Sequence, residues 1–268
     1  MKFTSIRHLL FIFTLVCCFF VSGCAVAPKI PLETLNYLAQ TTGRSDNLLV
    51  LLRGLGGSNT VFEDEGIIDE IRSRRLPFDI VAPDTHFGYY TNKTLAERLQ
   101  ADVIAPARRK GYKHIWIAGF SMGGLGTLIY LHSHPRDVDG VLLISPYLGV
   151  NSLIQEIKDA GGITAWKHVT TSTDISDWTR LTWSSIREYS KAPRRYPPIY
   201  LSYGSEDWVA KDGPALLATI LPKDRVFHVP GNHNIKTFRA LFSRQLEMLQ
   251  KKFPPTPTPA VKNKGGKS

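Results

Sequence analysis

The fold class can be inferred from one segment, His114-Ile115-Trp116-Ile117-Ala118-Gly119-Phe120-Ser121-Met122-Gly123-Gly124. It begins as an apolar run typical of a buried strand, and a second apolar run, Leu125 to Leu131, follows as a predicted helix. The turn between them is so sharp that a Cβ at either glycine flanking Ser121 would clash with the neighbouring strand and helix. A bare Gly-x-Ser-x-Gly pattern is weak, but in this setting it predicts a raised Ser121 hydroxyl at the positive end of a helix. The alternative is an ordinary glycine-rich strand-to-helix turn.

The rhythm of strand, loop and helix repeats on both sides of this stretch. Continuous apolar runs are typical of parallel strands that are buried on both faces. Alternating strands and helices imply βαβ units with right-handed crossovers, so the predicted fold class is α/β, doubly wound, with a mostly parallel sheet. The predicted strands are 48–52, 78–81, 115–118, 141–144, 199–201 and 226–229, and helices are predicted around 62–71, from 94 to 111 and over 235–249.

Four segments are predicted along the chain. Residues 1–23 form a signal peptide, and residues 24–46 a tether whose apolar spacing at Leu32, Leu35 and Leu38 predicts a short helix within 31–42. Residues 47–250 form one domain, and 251–268, rich in Pro, Lys and Gly, are predicted to be disordered. Within the domain, residues 146–197 break the rhythm and hold three tryptophans, at 166, 178 and 183. They predict a helical cap over a site, or an excursion whose tryptophans fill a small core of its own; both interpretations stay open.

The formal charge of +10 does not indicate nucleic acid. Residues 1–23 and 251–268 hold seven of the 33 basic residues and none of the 23 acidic ones. The remainder therefore carries 26 basic and 23 acidic residues, an unremarkable balance. The basic tail raises a second hypothesis, binding to anionic lipid or cell-wall polymer, which competes with a plain solvated tail.

The N-terminus has the pattern of an export signal. Lys2, Arg7 and His8 precede an apolar run, Leu9 to Val21, that is short for a membrane span, although an uncleaved anchor stays open. The following Val21-Ser22-Gly23-Cys24 resembles the lipobox of bacterial lipoproteins. That resemblance implies cleavage before Cys24 and a lipid on its thiol. It also implies a place in the bacterial cell envelope, with Ala25 pointing to the outer membrane and a domain facing the periplasm.

The other two cysteines, Cys17 and Cys18, lie inside the apolar run. Cleavage before Cys24 would leave one lipidated cysteine, so we expect no disulfide or thiolate metal site in the domain.

A serine hydroxyl is a weak nucleophile near neutral pH. To react, it needs a base that takes its proton and a third group that orients this base. Asp207 lies on the loop after the fifth predicted strand, and His233 on the loop after the sixth. Both follow Ser121 in the chain order that this type of site requires. His86, on a loop at a strand's carboxyl end, is the competing base, and Glu206 the competing acid. Asp174 and Asp177 are expected to be solvated in the cap.

These segments resemble the α/β-hydrolase family over residues 47–250, apart from the cap. The resemblance implies that Ser121 is the nucleophile, His233 the general base and then acid, and Asp207 its orienter. It also implies an oxyanion hole formed by the backbone N–H groups of Leu55 and Met122. The sequence departs from the family at Arg53, where a histidine is common, which puts the anchoring of the Leu55 loop in doubt.

Two neighbouring loops remain. The glycine-rich stretch Gly54 to Asn59 has an alternative as a phosphate cradle, although no P-loop lysine follows. Pro83 to Tyr90 resembles the family's turn after the second strand, where Asp84 is expected to tie the loop to backbone amides. Tyr89 and Tyr90 either line the pocket or pack within a surface loop.

The expected activity is cleavage of a carboxylic ester, in a small-molecule or lipid-like substrate, through an acyl-enzyme. Thioester or amide cleavage by the same three residues is the first alternative. The second is a lipid-anchored binding or scaffold protein without turnover. No cofactor and no metal are expected.

Overall fold

The computed structural model describes residues 27–40, 44–167, 175–210 and 212–255. Within them, seven strands form one sheet in the order β1-β3-β2-β4-β5-β6-β7. Strands two to seven run parallel, and the first pairs antiparallel with the third at one edge, so the predicted mostly parallel sheet is confirmed. The strands are β1 (Thr34–Tyr37), β2 (Asn47–Leu52), β3 (Phe78–Pro83), β4 (His114–Phe120), β5 (Gly140–Ile144), β6 (Ile199–Gly204) and β7 (Val226–Val229).

The signal segment, Cys24, Asp174 and the tail from residue 256 lie outside the described residues, so the predictions made there are not addressed by the structure. No helix of the described ranges has the length and apolar character needed to cross a membrane.

Helices lie on both faces of the sheet. Along β2, Leu48, Val50 and Leu52 join one buried cluster while Leu49 and Leu51 join the other, as the alternation of side chains in a strand requires. The helices are α1 (Val61–Asp64), α2 (Ile67–Ser73), α3 (Phe87–Thr91), α4 (Leu95–Arg98), α5 (Ala105–Arg109), α6 (Met122–Ser133), α7 (Asn151–Asp159), α8 (Ile175–Lys191), α9 (Asp212–Ala218) and α10 (Ile235–Lys252). A π-helical segment, Leu99–Ile104, joins α4 to α5, and short 3₁₀ turns occupy Pro193–Arg195 and Lys223–Arg225.

The short helix predicted within residues 31–42 is wrong. Thr34–Tyr37 is the edge strand β1, with Thr34 opposite Pro83 and Tyr37 opposite Ile80. Leu32 is buried but Leu38 is 76% exposed, so the three leucines do not form one helical face. The free edge of β3 offers backbone hydrogen bonds to this segment, and that tertiary pairing overrides a weak three-residue spacing.

The strand order reverses at β2, which lies between β3 and β4. Leu52, the last residue of β2, pairs in register with Gly119 near the end of β4. The loops that follow these two strands therefore leave the sheet side by side. In open α/β sheets such a switch point is where ligands bind.

The long excursion between β5 and β6 packs against the main body of the domain. Trp166 and Trp183 are buried and belong to the same cluster as Leu125 and Leu128 of α6. The Trp183 indole N–H also donates to the Leu148 carbonyl, at 2.8 Å. These two tryptophans therefore extend the principal core, so the alternative in which they fill a small core of their own is wrong; the excursion is helical, as the cap interpretation predicts.

Candidate active site

Ser121 occupies the turn between β4 and α6 in a strained conformation. Its φ of 51° and ψ of −116° lie in a region that non-glycine residues rarely adopt. The turn is held because the Ser121 N–H donates to the Ile144 carbonyl at 2.9 Å, and the Tyr147 N–H donates to the Ser121 carbonyl at 2.9 Å. Residues at the end of β5 and just after it thus hold the turn. This turn places the Ser121 hydroxyl above the carboxyl edge of the sheet.

The two flanking glycines are sterically required, as predicted. A Cβ on Gly119 would overlap the Gly123 carbonyl and the Thr127 hydroxyl of α6. A Cβ on Gly123 would overlap the Leu52 carbonyl of β2. Because the obstructing atoms are mostly backbone, neither residue can accept a side chain without displacing the strand or the helix.

His233 lies on the loop after β7, and its imidazole Nε2 is 2.9 Å from the Ser121 Oγ, across 112 positions of the chain. The Asn232 side-chain oxygen accepts from the His233 backbone N–H at 2.8 Å. Asn234 then caps α10 by accepting from the Thr237 N–H at 3.0 Å. The ring of His233 also contacts Phe238 edge-on, so backbone bonds and packing both orient the imidazole.

Asp207 completes the arrangement from the loop after β6. Its Oδ2 is 2.8 Å from the His233 Nδ1, and the residue is fully buried. Its Oδ1 accepts from the backbone N–H groups of Val209 and Ala210, at 3.1 and 2.9 Å. Burial by itself raises the pKa of the Asp207 carboxyl, but the hydrogen bonds from His233 and Ala210 outweigh it and hold that pKa below its ordinary value. The carboxylate is therefore kept charged and turned toward the imidazole.

The structure thus brings Ser121, His233 and Asp207 together in one hydrogen-bonded row. This is the spatial meeting that the sequence predicted from their chain order and loop positions.

Leu55 and Met122, whose backbone N–H groups the family resemblance implies as oxyanion donors, line the same pocket as Ser121. Met122 is the first residue of α6, and the N–H at that helix position has no acceptor within the helix. Leu55 lies on the loop after β2, two residues beyond the buried Arg53. The loop comes so close that a Cβ on Gly54 would be 3.3 Å from the Ser121 Cβ.

Arg53 anchors this loop, at the position where the family more often has histidine. Its Nε donates to Asp84 Oδ1 at 2.8 Å, and its Nη1 donates to the Gly56 carbonyl at 2.7 Å and more weakly to the Gly54 carbonyl at 3.3 Å. The Arg53 side chain is 5% exposed and that of Asp84 is 23% exposed. The prediction that Asp84 ties its loop to backbone amides is therefore wrong, because its partner is the guanidinium of Arg53.

The competing bases and acids are engaged elsewhere. His86 caps α3, with its Nδ1 accepting from the Gly88 N–H at 3.1 Å, and burial lowers its pKa. His132 bonds the Ser185 hydroxyl at 2.6 Å. Glu206 is exposed, with its backbone N–H on the Gly231 carbonyl. The side chain of Asp177, like that of Asp174, is outside the described atoms.

Ser121 and His233 open into a pocket of about 540 Å³. Its lining is mostly apolar and comes largely from the loops after β2, β3, β5 and β6 and from α8. Besides the serine and the histidine, the lining residues are Leu55, Phe87, Met122, Tyr147, Val150, Thr179 and Val209. Tyr89 and Tyr90 lie outside this lining and are buried, with the Tyr90 hydroxyl donating to the Met122 carbonyl at 3.0 Å. Tyr90 thus holds the residue that follows Ser121, whereas the Tyr89 hydroxyl bonds the backbone of Lys29.

Sequence reasoning missed three contributors. Asn232 accepts from the N–H of His233 and, at 3.4 Å, from that of Trp208, so one side chain bridges the acid and histidine loops. Its position beside His233 was the available signal. Tyr147 and Thr179 line the pocket from the excursion, and no local pattern marks them. Among the described residues, no cluster of three His, Cys, Asp or Glu side chains has the arrangement to hold a metal ion.

Strand order, serine turn and hydrogen-bonded row together define a protein of the α/β-hydrolase fold. The family model described as serine aminopeptidase S33 matches residues 96–186, about a third of the chain. Among curated protein sequences, none matches this chain significantly.

Solved structures agree on the fold. FphF, a fluorophosphonate-binding serine hydrolase of Staphylococcus aureus, superposes with a TM-score of 0.61 at 14% identity, covering 83% of this chain and 95% of its own. Est1E from Butyrivibrio proteoclasticus, with ferulic acid bound, gives 0.58 at 13% identity over 83% and 95%. A monoacylglycerol lipase of Paleococcus ferrophilus gives 0.53 at 16% identity over 82% and 98%. At these identities the likeness establishes the fold.

Proposed function

We propose that this protein is a serine hydrolase that cleaves carboxylic esters through an acyl-enzyme. The observation that carries the proposal is the 2.9 Å contact between the Ser121 hydroxyl and the His233 imidazole, backed by Asp207. A serine hydroxyl is a weak nucleophile until an adjacent base removes its proton, and this contact provides that base.

The reaction follows from the positions of these groups. His233 Nε2 accepts the Ser121 proton as the oxygen attacks the ester carbonyl, and the carbonyl oxygen becomes an anion. The N–H groups of Leu55 and Met122 donate to that anion, a type of interaction worth about 10² to 10³ in rate per donor. His233 then protonates the departing alkoxide, which leaves as an alcohol. Water, deprotonated by the same imidazole, releases the acid and restores the serine.

Asp207 acts through the imidazole. Its carboxylate accepts from the Nδ1–H of His233, which leaves Nε2 free to take the serine proton. It also stabilises the imidazolium that forms in each half of the reaction. Since two backbone N–H groups hold the other oxygen of Asp207, the carboxylate is aligned before substrate binds.

The acid part of the ester is proposed from the pocket. Its lining is largely apolar and suits an acyl chain or an aromatic acid. The names of structural neighbours point the same way, since they include a ferulic acid esterase and a monoacylglycerol lipase.

A fluorophosphonate probe tests the proposal, because it labels a serine only where a base activates it. We expect the wild type to be labelled and Ser121→Ala to be unlabelled, with turnover of nitrophenyl esters reduced at least 10³-fold. Thr127→Ala is a matched control, since it removes another hydroxyl buried beside the same turn. A folded wild type that neither reacts with the probe nor cleaves esters, thioesters or amides would instead indicate a scaffold protein.

We also propose that the mature chain begins at a lipidated Cys24 and is held in the bacterial outer membrane, facing the periplasm. The support is the charged start, the apolar run and the small residues before Cys24. Cells grown with labelled palmitate should label the wild type but not Cys24→Ser. Ala25→Asp should keep the label but move the protein to the inner membrane. An unlabelled wild type in the soluble fraction would contradict the anchor.

A further inference from the structure

Exposed apolar side chains are concentrated at one edge of the sheet. Seven large ones are exposed among the described residues, and five surround the mouth of the pocket. We call these five the rim: Leu55, Phe87, Val150, Trp208 and Val209. Four of them line the pocket, and the fifth, Trp208, follows Asp207 directly and is 78% exposed. Apolar groups clustered in this way usually mark a binding surface.

The N-terminal tether reaches the domain at the same edge. β1 is antiparallel to β3, so its first residue, Thr34, lies opposite Pro83 at the carboxyl end of β3. Just before it, the Lys29 N–H donates to the Tyr89 hydroxyl at 3.0 Å, and that hydroxyl donates back to the Lys29 carbonyl at 2.9 Å. Tyr89 belongs to α3, the helix that also carries the rim residue Phe87. Ile30, the sixth exposed apolar side chain, follows Lys29 directly.

Chain length then limits where the anchor can be. Cys24 and Lys29 are five positions apart, and a fully extended chain spans at most about 3.5 Å per residue. A lipid on Cys24 is therefore attached within about 18 Å of the Lys29 backbone. An anchor at that distance would hold the carboxyl edge of the sheet close to the bilayer surface.

From the rim and the tether together, we infer that the rim rests on the bilayer that holds the anchor, and that the pocket takes its ester from that bilayer. The substrate class is then a lipid ester whose acyl chain passes from the membrane into the pocket. This inference rests on the proposed esterase function and on the proposed lipid at Cys24. A lipid surface is favoured over a second copy of the chain because the anchor already holds this edge beside lipid.

The chain from Ala25 onward, which lacks both the apolar segment Leu9 to Val21 and the proposed lipid site Cys24, is the parent protein of the test. Any membrane affinity that it retains must come from the described domain or its tails. Its binding to phosphatidylcholine vesicles is measured by flotation and is compared with the binding of the same chain carrying Trp208→Ser. Leu38→Ser is the matched control: Leu38 is 76% exposed, but it follows β1 at the opposite edge of the sheet. Turnover of a soluble short-chain ester and of a lipid ester held in the vesicles is measured for all three proteins.

We expect Trp208→Ser to lower vesicle affinity about tenfold or more, since an indole side chain buries a large apolar area. Turnover of the vesicle-borne ester should fall in parallel, while Leu38→Ser matches its parent in both assays. Equal binding by the two serine variants, or no binding by the parent, would overturn the inference. So would a parent dimer, seen by sedimentation, that Trp208→Ser dissociates. Lack of turnover on the soluble ester by the parent would refute the esterase function separately, whatever the vesicle binding.

Discussion

Arg53→Met is the substitution that most directly tests how the loop after β2 is held, the loop that carries the proposed oxyanion donor Leu55. Methionine keeps an unbranched apolar stem but removes the three hydrogen bonds to Asp84, Gly56 and Gly54. Breaking a buried ion pair by removing one partner usually costs about 3 to 5 kcal/mol. Because Asp84 is 23% exposed and can recover some hydration, we expect the lower end, about 3 kcal/mol of unfolding free energy.

The effect on catalysis has a ceiling set by the donor that the loop carries. Losing one oxyanion donor costs about 10² to 10³ in kcat, and a loosened Leu55 N–H still donates part of the time. We therefore expect kcat to fall roughly 10- to 100-fold with little change in KM, because the donor acts mainly on the transition state. Arg53→Lys should give an intermediate result, since it retains the charge but cannot reach Asp84 and Gly56 together.

Urea denaturation and steady-state turnover of a nitrophenyl ester measure the two effects separately. Arg74→Met is the control. The guanidinium of Arg74 also donates to side chains, those of Glu70 and Gln250, but it precedes the amino end of β3 and is therefore away from the site. It should lose stability but keep kcat. A double variant with Asp84→Asn should be little worse than Arg53→Met alone. If Arg53→Met lost stability but kept kcat within threefold, the loop would not depend on Arg53 for its catalytic position.

Three further outcomes follow from the geometry. Because the pKa of Asp207 is lower in the folded protein, its charge stabilises the protein at pH values above the unfolded pKa of about 3.9. The difference in unfolding free energy between the wild type and Asp207→Asn, measured in urea, should be full at pH 7 and shrink as the pH falls below about 4. A difference that stays constant with pH would contradict the assigned shift. Gly119→Ala forces a Cβ onto the Gly123 carbonyl and should cost at least about 1 to 3 kcal/mol, so an unchanged thermal midpoint would refute the packing described. Trp183→Ala should cost about 3 to 5 kcal/mol, since it empties part of the core and frees the Leu148 carbonyl; a loss below 1 kcal/mol would show that the excursion packs loosely.

Most of the sheet could be predicted because its strands are buried on both faces and are therefore continuous apolar runs. The residues of the row Ser121, His233 and Asp207 could also be identified, since each follows a predicted strand and parallel strands end at one edge. Their contact distances depend on the sheet order and on the supporting bonds of Asn232 and Asn234, which no spacing in the sequence encodes.

The features that the sequence did not predict also depend on contacts between distant parts of the chain. The helix predicted within residues 31–42 is wrong because the four residues of β1 become a strand only where β3 offers them a hydrogen-bonding partner. The bond from Arg53 to Asp84 joins the loops after β2 and β3, which lie 31 positions apart in the chain and meet only because those strands are neighbours. Trp166 and Trp183 have an apolar character that is plain in the sequence, but which core they enter is decided by the packing of the excursion on α6.

The excursion leaves β5 and returns to β6, two strands that lie side by side and pair in register from Val141 and Ile199 onward. Its two ends are therefore fixed by the sheet, and loop-closure entropy rises only slowly with length, by about 0.6 kcal/mol for each doubling. The segment can therefore change in length at little entropic cost, provided that Trp166 and Trp183 still pack on α6 and the Tyr147 N–H still bonds the Ser121 carbonyl. Under the proposed function, side-chain changes at Tyr147, Val150 and Thr179 would alter which acids and alcohols fit the pocket while Ser121, His233 and Asp207 stay unchanged.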